Sequence, residues 1–148
     1  MAFVRKDPYG GYNFEVEIDG IKRAGFKQAS GLDSTSDATK YREGNDPSLA
    51  QRQLPGLLSY SNISLQRGIT EDSDIWAWRN SIASGTSNPD RKNISIILKD
   101  HAGNEKIRWN IRKAWPVKWS GPSFDATTDA VAIETLELAH EGIEVQKW

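Results

Sequence analysis

Few residues in this chain have the type and spacing for chemistry. The two histidines are His101, in the turn DHAGN, and His140, followed directly by Glu141. His140–Glu141 is the one pair that could share acid–base work, since an imidazole beside a carboxylate can pass a proton near neutral pH. No nucleophile accompanies it, and neither histidine belongs to an HExxH, so a polar strand-end residue and a solvated turn residue are the preferred readings. Glu43 and Asp46 in YREGNDP bring two carboxylates together, but a hard cation needs more oxygen ligands than two side chains supply. A salt-bridged turn, Arg42 with Glu43 or with a neighbouring subunit's charge, is the simpler expectation. There is no GxxxxGK[ST] or GxGxxG, and Gly10-Gly11 is too short to cradle a phosphate. With no cysteine, thiolate catalysis, Cys-based zinc sites and a disulfide scaffold are all excluded. The residues point away from an enzyme and from any cofactor or metal.

The bulk numbers agree with a single domain over residues 1–148. The chain is 37% hydrophobic and 26% charged, enough for a real core without staples. A net charge of −1 gives no electrostatic case for nucleic acid or an anionic membrane. MAFVRKDPYGGY holds no apolar run of signal-peptide length, and no stretch approaches a membrane span. Manufacture in the cytoplasm is the expectation. Six tryptophans are a high count. A large aromatic core is the first reading, a subunit interface the second and a carbohydrate platform the third.

The elements that hold these residues read mostly as strands. Tyr12, Phe14, Val16 and Ile18 alternate with polar residues, and Asp19-Gly20 is a hairpin signal that returns IKRAGF antiparallel. QASGLDSTSD carries turn chemistry before a short strand, ATKYREG. Residues 45–58, with two prolines and no clear period, read as a long ordered loop of the kind that is functional or covered by a partner. SNISLQRG is a strand with Ile63, Leu65 and Arg67 on one face. Residues 72–84 form the one convincing helix, capped by Asp72 or Ser73 and stopped by Gly85, with Ile75, Trp78 and Ile82 on one face. A polar loop, TSNPDRKN, leads to a strand over Ile94–Lys99, and another runs over Glu105–Lys113. Breaks follow at Trp115-Pro116 and Gly121-Pro122, then a polar elbow, SFDATTD.

The segment AVAIETLELAHEGIEV reads as helix by composition and as strand by pattern. As a strand it places Val131, Ile133, Thr135 and Glu137 on one face, and Ala132, Glu134, Leu136 and Leu138 on the other. From Ala130 to Glu141 it spans roughly 40 Å, about twice a usual strand, which suggests a ribbon that leaves its domain and is covered by something else. Charges on several strands (Glu15, Glu17, Lys22, Arg23, Arg108, Arg112, Glu134, Glu137) suit solvated faces, a water-filled channel, or salt bridges between copies. The fold class is mainly β: two packed antiparallel sheets as a small barrel or sandwich with one flanking helix, and no βαβ alternation.

In order along the chain, NFEVEIDG, AGFKQASGL, YREGNDP, RQLPGLLSYSNISLQRGIT, WAWRNSI, DHAGNEKIRWNIRKAWPVKW and AIETLELAHEGIE resemble the inner tube proteins of contractile phage tails and contractile injection systems. The resemblance implies a structural, non-enzymatic subunit whose six copies join sheets edge to edge around a lumen. Rings stack into a hollow tube that carries cargo through a target envelope. Its implied partners are further copies of itself, a surrounding sheath, baseplate or tube-initiator and tube-terminator proteins, and cargo. It also implies assembly in the bacterial cytoplasm as part of a phage tail or tail-like particle. The haemolysin-coregulated protein of type VI secretion is similar in fold and function. Under this reading 130–141 becomes a strand of the shared inner sheet, and residues 45–58 become a contact between stacked rings. Arg42, Glu43, Asp46, Leu54, Leu136 and Glu137 are the expected interface residues. The alternative is a monomeric β-barrel module that binds carbohydrate or peptide through surface tryptophans. A third reading is a small hydrolase using His140 and Glu141.

Overall fold

The computed structural model describes residues 5–19, 21–85 and 90–148, with no side-chain description for 21–24. Among the described residues ten strands and one helix follow in the order β1 (Phe14–Ile18), β2 (Ile21–Ala24), β3 (Gln28–Ser30), β4 (Ser34–Tyr41), β5 (Arg52–Tyr60), β6 (Ile63–Gly68), α1 (Asp74–Ala83), β7 (Lys92–Lys99), β8 (Glu105–Ser120), β9 (Ile133–Ala139) and β10 (Gly142–Lys147). Eight of the strands form one hydrogen-bonded path, β2-β1-β7-β8-β9-β6-β3, with β10 also on β8. The path does not close, so the architecture is an open sandwich and not a barrel.

β8 is the organising strand. Its first half pairs with β7 and β10, and its second half with β9. Between the halves Lys113 adopts φ 52°, and the partner strand breaks at His140–Glu141, so the β8–β9/β10 ribbon bends there. The ladder survives the bend, because Glu141 N–H donates to Arg112 O at 3.0 Å. A local irregularity that redirects a strand is how one chain serves two layers. The first layer is thus β2-β1-β7-β8-β10 and the second β8-β9-β6-β3.

Alternation then builds the core. Val16, Ile18, Ile94, Ile96 and Ile111 from the first layer meet Ile63, Leu65, Leu136 and Leu138 from the second, and all are buried. Each point inward because side chains two apart share a face. The core is aliphatic, not aromatic: Trp78 is the one buried tryptophan, while Trp76 and Trp148 are exposed and Trp109, Trp115 and Trp119 are half-buried. Helix α1 brings Ile75 and Trp78 to this core. The Asp72 carboxylate, not Ser73, caps it by accepting from Asp74 N–H at 3.0 Å. Gly85 ends it at φ +81°, where a side chain would be strained.

Several sequence expectations change. Tyr12 is exposed and lies outside β1, which begins at Phe14. Gly20 of the expected hairpin turn lies outside the described residues, as do residues 86–89 of the polar loop. Pro116 does not break the chain: β8 continues through it to Ser120. Among the described residues no strand flanks that half of β8 on its other side, so the missing N–H costs little. The 130–141 segment is a strand only over Ile133–Ala139, after Ala132 O accepts from Ile69 N–H at 2.9 Å, and it does not leave the domain. It lies between β6 and β8 with both edges satisfied. The ribbon that does leave is made from residues 34–60.

Candidate functional site

β4 and β5 form a separate two-stranded sheet. The expected 45–58 loop is only partly a loop, since Arg52–Tyr60 is strand, in register from Ser34↔Tyr60 to Tyr41↔Arg52 with one irregularity between Ser36 and Ala38. Pro55 fits because each strand of a two-stranded ribbon has a free side. The hairpin leaves the sandwich at Gly31, where φ is +100° and an added Cβ would lie 2.1 Å from Asn62 O. Only glycine makes that exit.

Nearly every residue of the hairpin is exposed, including Tyr41, Leu54 and Leu58. Leu49 is 91% and Leu57 80% exposed. An isolated two-stranded hairpin is marginal in water, and needs a third strand or an apolar surface to hold it. Four exposed leucines on such an element make it the candidate interaction surface.

The tip is shaped from within. Asp46 accepts from Arg52 Nη2 at 2.7 Å and from Glu43 N–H at 3.0 Å. The Arg42 guanidinium donates to Ser48 O at 2.9 Å and Asp46 O at 3.2 Å. Asp46 with Arg52 therefore replaces the expected Arg42–Glu43 pair. Arg42, Glu43, Asp46 and Leu54 come together on this one element. Glu137 does not: it sits on the outward face of the second layer, opposite Ser64 and Lys118. Leu136 is 1% exposed in the core, so its side chain meets no neighbouring molecule. Sequence reasoning missed Leu49, Leu57 and Leu58, although their crowding with two prolines in residues 45–58 was the available signal.

The second layer has its own open flanks. Among the described residues no strand lies beyond β3, nor beside the 115–120 half of β8 away from β9. Its outward face is small and polar, with Ser64 and Gln66 of β6, Thr135 and Glu137 of β9, and Lys118 and Ser120 of β8 in paired rows. The outward face of the first layer is instead tied by ion pairs within the chain. Arg108 meets Glu17 at 2.9 Å, Lys99 meets Glu15 at 3.1 Å, and Arg112 meets Glu144 at 3.4 Å. The Glu17 hydrogen bond, the leading cause, raises the Arg108 pKa above its ordinary value.

A buried pair fixes α1 to the second layer. Arg67 and Glu134, 4% and 7% exposed, meet at 2.5 Å. Trp119 Nε1–H donates to Glu134 at 3.1 Å, and the Arg67 guanidinium donates to Asp72 O at 2.9 Å. This explains why a glutamate shares a strand face with Leu136 and Leu138. The other candidate chemistry disperses. His140 Nε2 lies 2.9 Å from Ser61 O, whereas Glu141 reaches Lys113 at 3.6 Å, so the two do not form a proton-transfer pair. His101 is not simply solvated, because its Nδ1 is 2.7 Å from the Tyr12 hydroxyl. Among the described residues no group of three His, Asp or Glu is placed to hold a metal, and no helix is long and apolar enough to cross a membrane.

Residues 10–144 match the family model of the T4-like virus tail tube protein gp19. The chain belongs to this tail tube family. It is a structural tube subunit. A chain of the anti-feeding prophage cap (AFP tube terminating cap) is 29% identical, with 100% of this chain and 97% of that one covered and a TM-score of 0.88. A chain of the PVC sheath–tube complex, an extracellular contractile injection system in its extended state, is 30% identical over 95% of this chain and 93% of that one, with a TM-score of 0.84. Hcp1 from Flavobacterium johnsoniae shares the fold at 16% identity, with 93% and 97% covered and a TM-score of 0.56. No curated protein matches the chain significantly. The tube subunit is thus part of a phage tail or tail-like particle, and nothing favours the carbohydrate-binding alternative.

Proposed function

We propose that six copies of this chain form a ring, and that rings stack into the hollow inner tube of a contractile injection system or phage tail. The observation that carries the proposal is the uncovered β4–β5 hairpin, an element that a lone subunit cannot stabilise. Another copy in the next ring covers it, with Leu49, Leu57 and Leu58 as the buried contacts. Within a ring, the second layer continues from copy to copy through the open flanks of β3 and β8. A free strand edge is an aggregation hazard in a monomer and an assembly device in a polymer. The small polar outward face of that layer then lines the lumen, where a wet and weakly charged wall lets cargo pass. A sheath protein surrounds the tube, and baseplate and terminator proteins bound its ends, as the relatives' sheath–tube and tube-cap assemblies suggest. Assembly takes place in the bacterial cytoplasm, and the subunit works mechanically without catalysing a reaction.

The test is electron microscopy of particles containing either the intact subunit or one whose residues 34–60 are replaced by a short Gly-Ser turn. Intact subunits should give stacked sixfold rings. The replaced subunit should stay folded and fail to stack. Normal tubes without the hairpin would overturn the proposal.

A further inference from the structure

We propose that Phe124 of one subunit seats in an apolar cleft of the adjacent subunit and so sets the side-to-side contact of the ring. This rests on the tube reading above and names the contact that closes it. The cleft has a volume of about 220 Å³ and is lined by Phe14, Ala29, Ile96, Leu98 and Trp109, with Lys27 and Gln28 among its polar residues. Its volume exceeds the roughly 150 Å³ of a closed apolar cavity that takes up benzene, so this open cleft has room for a phenyl ring.

Phe124 is 88% exposed, on the coil that joins β8 to β9. The coil is held in shape behind it: Asp125 accepts from Thr127 N–H at 2.9 Å and from Thr127 Oγ1 at 2.7 Å, and Thr128 N–H returns to Asp125 O at 3.3 Å. This is an Asx turn, which fixes a short loop without secondary structure. A large apolar side chain is thereby presented to water on an ordered support.

Strand register places knob and cleft. Ser120 pairs with Thr135, Thr135 with Gln66, and Gln66 with Gln28, which makes one row across the second layer. The Phe124 coil leaves the layer at Ser120, on the β8 flank. The cleft borders Gln28, on the β3 flank. Ser120, where the coil starts, and Gln28, at the border of the cleft, thus lie on one row, three strand spacings or about 14 Å apart. When the β8 flank of one copy comes beside the β3 flank of the next, the knob therefore arrives at the cleft. Complementary patches on opposite sides of one molecule give a head-to-tail contact, which closes into a ring when the rotation permits. Charge agrees, since Asp125 follows the knob and the exposed Lys27 borders the cleft.

The absence of native cysteine makes the test direct. Subunits carrying Ser123→Cys and Gln28→Cys, which keep the Phe124 ring, assembled into particles and treated with a short bis-maleimide, should give a ladder of linked subunits on a denaturing gel. Subunits carrying Ser123→Cys alone should give none. Phe124→Asp should abolish incorporation into tubes while leaving the subunit's melting temperature at the wild-type value. Tubes that form but stay unlinked, or Phe124→Asp subunits that assemble at wild-type yield, would overturn this contact and leave the tube reading standing. Failure of the unaltered subunit to form tubes would remove both.

Discussion

Replacing Leu57 by alanine separates what the hairpin does for the subunit from what it does for the assembly. Leu57 is 80% exposed in the isolated chain. An exposed side chain of this kind changes subunit stability by only about 0.5 kcal/mol or less. In the proposed stacking the same side chain is buried by a neighbouring copy. The change removes three carbons, each contributing about 0.8 kcal/mol on burial, and scaling by the four-fifths now in water leaves about 2 kcal/mol per contact. That is roughly a 30-fold weaker association at each hairpin site, with about 1.4 kcal/mol per factor of ten. The assay is the subunit concentration at which tubes first appear, read by sedimentation and micrographs, alongside thermal unfolding of the free subunit. The expected result is a threshold raised by an order of magnitude or more with an unchanged melting temperature. A threshold within about threefold of wild type would refute the covered hairpin, since a loss of about 2 kcal/mol cannot hide there.

Other outcomes follow from the interior. Glu134→Leu leaves buried Arg67 with only the half-exposed Asp72 carboxylate, 3.4 Å away, so it should destabilise the subunit by up to about 3 kcal/mol, whereas Arg67→Met with Glu134→Leu should recover much of that loss; denaturant unfolding of both variants checks this. Leu136→Ala opens a cavity between β6 and β8 and should cost about 2–5 kcal/mol, seen as a lower melting temperature before any effect on assembly. Asp72 has its pKa lowered below 3.8, first by the Asp74 backbone N–H and then by the Arg67 guanidinium. A lowered folded pKa stabilises the fold fully above 3.8 and less as pH falls through the folded value, so the contribution should vanish only below about pH 4. Asp72→Asn should flatten the acid limb of the stability curve there and leave its neutral plateau with the same shape.

Period and pairing chemistry made much of the fold legible. The two-residue spacing of Ile63, Leu65 and Arg67 predicted the strand, and the i, i+3, i+7 spacing of Ile75, Trp78 and Ile82 predicted the helix; that Arg67 is buried with the two aliphatic residues came only from the structure. What failed was local reading of prolines. Pro55 and Pro116 look like breaks in a chain, yet both sit on strands with a free side, a fact that depends on which strands are neighbours. The two layers of β8 were likewise hidden, because the bend at Lys113 carries no glycine or proline to announce it. The tryptophans misled in the other direction. Their composition suggested a core, but pairing places Trp119 against Glu134 and Trp76, and Trp109 against Trp148, around the margin of an aliphatic interior. Leu136 shows the limit for interfaces: sequence marks it as apolar on a strand but does not say which layer lies over it.

The central claim is that this subunit is unfinished until other copies cover its hairpin and extend its second layer. A cryo-EM reconstruction of the assembled tube, at a resolution that traces side chains, tests it most directly. The account predicts sixfold rings in which Leu57 of each copy is buried by a different copy and backbone hydrogen bonds run from the β3 flank of one subunit to the β8 flank of the next. A tube in which residues 34–60 project into solvent and each subunit's strands end at its own boundary would contradict it.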